Sequence, residues 1–232
     1  MKVGLLADIH GNAYALEAVL NTAAAEGVSR LLIAGDFVGY YHEPGRVMAL
    51  LASWTWAGVR GNHEEMLQAW INHSNRDATR HRYGSGIETA AAELSADQVK
   101  QLLNLPHPLE CVVEDRQVLI CHGSPWDLDT YVYPDAKLEI RQQFVKSGSD
   151  LVVFGHTHYP VVWSEETTRV VNPGSVGQPR DRKPGACWAL WDTDSHEVSL
   201  RRESYDATSV IAQASARDPN TPYLATVLTR TA

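Results

Sequence analysis

Residues 2–12 read Lys2-Val3-Gly4-Leu5-Leu6-Ala7-Asp8-Ile9-His10-Gly11-Asn12, and residues 30–36 read Arg30-Leu31-Leu32-Ile33-Ala34-Gly35-Asp36. Each is a short apolar run that stops abruptly at an aspartate. Runs of this length, bounded by glycine and polar residues, predict buried strands. Between them Asn12 is placed to cap a helix whose Leu16, Val19/Leu20 and Ala23/Ala24 recur on one face, with Gly27 as its stop. Strand, helix, strand at this spacing is a βαβ unit with parallel strands.

The same punctuation recurs along the chain. Trp56–Val59 runs into Gly61-Asn62-His63, Gln117–Cys121 into His122-Gly123, and Asp150–Phe154 into Gly155-His156-Thr157-His158. Pro44 predicts one helix start and Ser95-Ala96-Asp97-Gln98 a capping box. Residues 109–121 predict a hairpin, and Pro134 is expected to open a helix running to Lys146. Short strands follow at 160–164, 169–171, 186–192 and 197–202, then a last helix from Asp206. Residues 72–88 are polar and read as a surface excursion. Helix and strand alternate in the first half and hairpins dominate the second, without a long linker. This pattern predicts one α/β domain over residues 1–232 with a two-sheet core.

Composition excludes several classes. Hydrophobic residues make 44% and charged residues 21% of 232, which is that of a folded chain rather than a disordered or collagenous one. No apolar run reaches the roughly 18 residues of a membrane span. The first apolar run is too short for a signal peptide. The net charge of −8 offers no general surface for a nucleic-acid backbone. Cys111, Cys121 and Cys187 are odd in number and lie among apolar residues, which fits buried thiols in a reducing, cytoplasmic setting. Trp188 and Trp191 suit buried strand positions and an oligomer interface equally, so the oligomeric state stays open.

In an open α/β sheet the carboxyl ends of parallel strands line one crevice. Asp8, His10, Asp36, Asn62, His122, His156 and His158 would converge there, and unpaired polar groups are costly to bury. Metal ions supply a reason for such a set. Aspartates, an asparagine oxygen and several imidazoles suit Mn, Fe, Zn, Ni or Co, and suit calcium poorly. There are more donors than one tetrahedral ion uses. Two ions ~3.5–4 Å apart, sharing a carboxylate, are the more natural occupant.

These motifs, in this order over residues 8–158, resemble those of the calcineurin-like metallophosphoesterases. The stretch Asn172-Pro173-Gly174-Ser175-Val176-Gly177-Gln178-Pro179-Arg180 resembles the small prokaryotic branch, which holds broad phosphodiesterases and relatives of diadenosine tetraphosphatase. The resemblance implies a four-layer αββα sandwich of two mixed sheets flanked by helices, with the metals at one sheet edge. It implies Asp8, His10, Asp36 and His158 on one ion, and Asp36, Asn62, His122 and His156 on the other, with Asp36 bridging. It makes His63, Asp36 and Asn62 the catalytic set, His63 acting on the leaving oxygen rather than as a ligand. Glu64 would either orient His63 or cap the following helix.

Hydrolysis of phosphoester bonds by a metal-activated hydroxide follows, with no cysteine or serine nucleophile. Small phosphodiesters are the expected substrates, with nucleotide phosphoanhydrides or monoesters as the alternative; a long nucleic acid or a membrane is not an expected partner. A metal-stabilised binding or scaffold protein is the alternative of another class, and its expected mark, a lost ligand, is absent. For substrate contacts the candidates are Arg180, Tyr40 and Tyr41. The tyrosines would either stack on a base or sugar or cover the fold, and Arg180 would either meet phosphate or pair with Asp181 or another surface acid. Arg76, Arg80, His81 and Arg82 would meet a second phosphate or form a solvated loop. Trp126, Asp127 and Tyr131 would form a pocket wall or pack.

Overall fold

The computed structural model describes residues 1–231. The first half alternates β1 (Lys2–Leu6), α1 (Ala13–Ala25), β2 (Arg30–Ile33), α2 (Pro44–Leu51) and β3 (Trp56–Gly58), followed by α3 (Asn62–Ile71), α4 (Arg76–Tyr83), α5 (Gly86–Glu93) and α6 (Ala96–Leu103). Then come β4 (Leu109–Val113), β5 (Arg116–Ile120), α7 (Leu138–Phe144), β6 (Leu151–Val153), β7 (Val161–Glu165), β8 (Thr168–Asn172), β9 (Ala186–Asp192), β10 (Glu197–Glu203), α8 (Thr208–Arg217) and α9 (Tyr223–Thr226).

Two mixed five-stranded sheets result, ordered β10-β9-β1-β2-β3 and β4-β5-β6-β8-β7. Strand alternation decides what each face meets. Val3, Leu5 and Ala7 point into the core between the sheets, while Leu6 joins the helical side. From the second sheet Val118, Ile120, Leu151 and Val153 enter the same inter-sheet core, whereas Leu119, Cys121, Val152 and Phe154 face outward onto Phe144 and Ile140. On the other outer face lie Leu16, Val19, Val47, Leu51, Leu67 and Ile87. The layers are therefore helix, sheet, sheet, helix: the four-layer αββα sandwich. Trp188 and Trp191 are fully buried strand residues within the chain.

Two local expectations need correction. The polar excursion at 72–88 is largely helical, comprising α4 and the start of α5. Arg76–Tyr83 has no apolar stripe and only Thr79 is buried, so periodicity gave no signal. Pro134 does not open a helix. The amide of Ala136 donates to the carbonyl of Tyr133 at 2.9 Å, closing a turn with Pro134 second in it, and α7 begins only at Leu138. Among the described residues no helix is long and apolar enough to cross a membrane.

Candidate metal centre

The strands β1, β2 and β3 are mutually parallel, as are β5, β6 and β8. Their carboxyl ends carry all seven expected ligands. The backbone there is unusual. Asp8, His10, Asp36, His156 and His158 all have positive φ, between 54° and 70°. A non-glycine residue rarely adopts this conformation, and such strain collects at functional sites. The turns point the side chains inward: Asp8, His10, Asp36, His122, His156 and His158 are all buried.

On one side, His10 Nε2 lies 3.0 Å from His158 Nε2, with Asp8 Oδ1 at 3.9 and 3.5 Å from them and Asp36 Oδ2 at 3.6 Å from His10. The other nitrogen of each ring faces a carbonyl: His10 Nδ1 lies 3.3 Å from Val38 O and His158 Nδ1 2.6 Å from Gln178 O. Those carbonyls can only accept, so each Nδ1 carries the proton and each Nε2 presents a lone pair. Burial holds both imidazoles well below the ordinary histidine pKa, so neither takes a second proton. Two lone pairs and two carboxyl groups facing one another form a donor set suited to a cation.

The adjoining side repeats the arrangement. His122 Nε2, His156 Nδ1 and Asn62 Oδ1 lie within 3.0–3.1 Å of each other, and Asp36 Oδ2 is 3.3 Å from His122. His122 Nδ1 donates to Ala34 O at 2.7 Å. Burial opposes charge on His122, but Asp36 pushes it up to about 10. Without a metal, a proton on His122 Nε2 balances Asp36; a metal ion would displace that proton and take the Nε2 lone pair in its place. Burial opposes ionisation of Asp36, yet His122 and His63 hold its carboxyl well below the usual range. Burial raises Asp8 to about 7. The donor set fits two borderline cations sharing Asp36.

His63 borders the cluster, with a ring nitrogen within 4.8 Å of donor atoms of His10 and Asp36. Its ring packs 4.5 Å from His10 and 4.7 Å from Tyr40, and burial lowers its pKa to about 4. Its ring reaches this place only because residue 39 is glycine: a Cβ there would fall 1.9 Å from His63 Nδ1. Glu64 is buried and accepts amides from Gly61 (2.7 Å), Phe37 (2.9 Å), Asp36 (3.0 Å) and Val38 (3.3 Å). It therefore both caps α3 and pins the turn carrying Asp36.

The candidate substrate contacts separate. Tyr40 borders His10 and His63, and its hydroxyl accepts from Arg180 at 2.9 Å. Arg180 also reaches Gln178 Oε1 at 3.2 Å. The expected alternative of a pair with Asp181 is corrected, because Asp181 pairs with Arg202 at 2.6 Å. Tyr41 is corrected too. It is fully buried and its hydroxyl donates to Leu224 O at 3.0 Å, so it fastens the C-terminal helices. Arg80 pairs with Glu88 and Arg76 lies over Trp70, which leaves the basic stretch mostly engaged on its own surface.

Sequence reasoning missed the bracing work of 172–178. Asn172 Nδ2 donates to Gly155 O at 2.8 Å, Ser175 Oγ to Asp8 O at 2.7 Å, and Gln178 O receives His158. The clue available was position: this Gly/Pro-rich loop follows a further parallel strand, β8, into the same edge.

A calcineurin-like phosphoesterase superfamily domain matches residues 1–196. The chain belongs to that superfamily. An uncharacterized protein of Methanocaldococcus jannaschii is 28% identical over 227 residues, covering 88% of each chain. Phosphodiesterase YfcE of Escherichia coli is 26% identical over 216 residues, covering 92% of this chain and 97% of that one. The crystal structure of a metallophosphoesterase from Sphaerobacter thermophilus superimposes with a TM-score of 0.80 at 27% identity, covering 99% of both chains. The clustered histidine and aspartate groups and this superfamily fold together support metal-dependent hydrolysis of phosphoester bonds.

Proposed function

We propose that this chain is a dinuclear-metal phosphodiesterase acting on small substrates. The observation that carries the reading is the convergence of donor atoms from five strand ends, with lone pairs turned toward one another. Asp8, His10, Asp36 and His158 would hold one ion, and Asp36, Asn62, His122 and His156 the other. Mn, Fe, Zn, Ni and Co all suit this donor set. When bound, the ions supply Lewis acidity toward phosphoryl oxygen and lower the pKa of water.

The chain's own groups do the rest. Carbonyls of Val38, Ala34 and Gln178 fix the histidine tautomers. His63, buried beside the cluster, would turn an N–H toward the leaving oxygen and give it a hydrogen bond or, from the imidazolium form, a proton. Arg180, held by Tyr40 and Gln178, is available to a non-bridging phosphate oxygen; among the described residues no carboxylate pairs with it. The preference for diesters draws support from the E. coli relative's name, and the cytoplasmic setting from three free cysteines.

The test compares bis-p-nitrophenyl phosphate with p-nitrophenyl phosphate, each with Mn²⁺, Ni²⁺, Co²⁺, Zn²⁺ or Fe²⁺. Faster turnover of the diester is expected. Preferred turnover of the monoester would reverse the substrate assignment, and no turnover of either with any ion would remove the enzymatic one.

A further inference from the structure

The loop after His122 leaves aromatic rings partly exposed beside the metal cluster: Trp126 is edge-on to the core residue Phe144 at 5.3 Å, while the two tyrosines that follow lie nearer the cluster. Trp126, Tyr131 and Tyr133 are among the few large side chains the protein leaves exposed; Tyr131 is 50% and Tyr133 44% accessible. Between the tyrosines, Val132 is buried and anchors the segment to the Phe144–Phe154 cluster. The alternation holds both phenol rings outward. Tyr131 lies 4.0 Å, ring to ring, from His156 at the edge of the metal cluster. Tyr133 is near-parallel to Tyr131 at 22° and also packs on Tyr159 at 5.7 Å.

This loop is built, not loose. Ser124 Oγ donates to Asp127 O at 2.8 Å and accepts from the Asp127 amide at 3.0 Å, and the Asp129 amide donates to Asp127 Oδ1 at 2.9 Å. The loop returns so closely over residue 123 that a Cβ there would meet Leu128 O at 2.5 Å. The backbone leading to the rings is thus braced by its own hydrogen bonds, so a partner that stacks on them loses less of its binding energy to ordering.

Resting on the phosphoesterase reading, we propose that Tyr131, with Tyr133 beside it, is a subsite for the base of a nucleotide whose phosphate sits at the metal cluster. An exposed ring touching the wall of a phosphate site meets the planar group attached to that phosphate. Every base offers a π face to such a ring, so the subsite selects nucleotides over alkyl phosphates without reading their sequence. The other exposed-ring outcome, plain loop packing, is what the experiment can reveal instead.

The experiment uses two diesters with the same leaving group: the p-nitrophenyl ester of thymidine 5′-monophosphate and methyl p-nitrophenyl phosphate, assayed on the full-length, metal-loaded protein. The readout is the ratio of their kcat/KM values, in which any general damage near His156 cancels. Tyr131→Ala is expected to lower this ratio about tenfold, and Tyr131→Phe to keep it. An unchanged ratio in Tyr131→Ala overturns the subsite. Calorimetric binding of thymidine 5′-monophosphate against inorganic phosphate separates the two readings. Tyr131-dependent binding without turnover of either ester supports the subsite and defeats the hydrolytic assignment. Equal binding by wild type and Tyr131→Ala overturns the subsite even where both esters are cleaved.

Discussion

At the scale of single residues, the centre is an arrangement of lone pairs that the backbone enforces. Positive φ at Asp8, His10, Asp36, His156 and His158 is tolerable only where surrounding bonds over-determine it, and Glu64, Asn172 and Ser175 supply those bonds. His63→Ala should keep its metal content by elemental analysis while kcat falls by roughly 10²–10⁴; loss of metal along with activity would make His63 part of the ion site. Asp36→Asn should lose metal, since Asp36 faces both histidine pairs. The seven candidate ligand positions could be picked out in the sequence because each sits where an apolar run breaks at Asp, Asn or His, and the structure brings them to one edge. Glu64 was left between two roles because its partners are amides, and amides carry no sequence mark. Tyr40 and Tyr41 could not be told apart for a similar reason: adjacent residues point to different sides, and which side holds the site depends on where Leu224 packs, 183 positions away.

Among the elements, those with a one-sided apolar pattern were the readable ones. β1, α1, β2 and the β4–β5 hairpin stand within a residue or two of expectation, whereas α4 (Arg76–Tyr83), polar on nearly every side, was invisible to periodicity. The C-terminal helices were read only as far as Ala214, and the structure gives them a task. Asp218 accepts from the Ser85 amide at 2.8 Å and lies 2.8 Å from His42 Nε2, while Gln213 reaches Glu43 at 2.9 Å. This clasp closes over the segment that carries Tyr40. Burial works against ionisation of Asp218, but its bonds to His42 and Ser85 outweigh that and hold the carboxyl below its ordinary value. A group depressed in the folded state adds stability above its unfolded pKa of ~4, and that increment disappears as pH falls through the lower folded value. Thermal melts should therefore show wild type losing more stability than Asp218→Asn between neutral pH and pH about 3. Equal losses would mean that the clasp is electrostatically idle.

The whole molecule is two sheets pressed together so that six parallel strands deliver their ends to one edge. The inter-sheet core therefore sets the distance between the two halves of the metal cluster: His10 comes from one sheet and His158 from the other, and Asn62 meets His156 across the same seam. Leu5, fully buried in that core, should cost about 2–5 kcal/mol when replaced by Ala, measured by denaturant unfolding. Ions bound across the seam favour the folded state by mass action, so Mn²⁺ should raise the Tm and a chelator lower it. The most direct measurement is titration of metal-stripped protein with Mn²⁺, following bound metal per chain alongside hydrolysis of bis-p-nitrophenyl phosphate. The lone pairs on both sides of Asp36 predict two equivalents per chain, with full activity reached only at the second. Saturation at one equivalent, or two bound ions with no hydrolysis, would contradict the account.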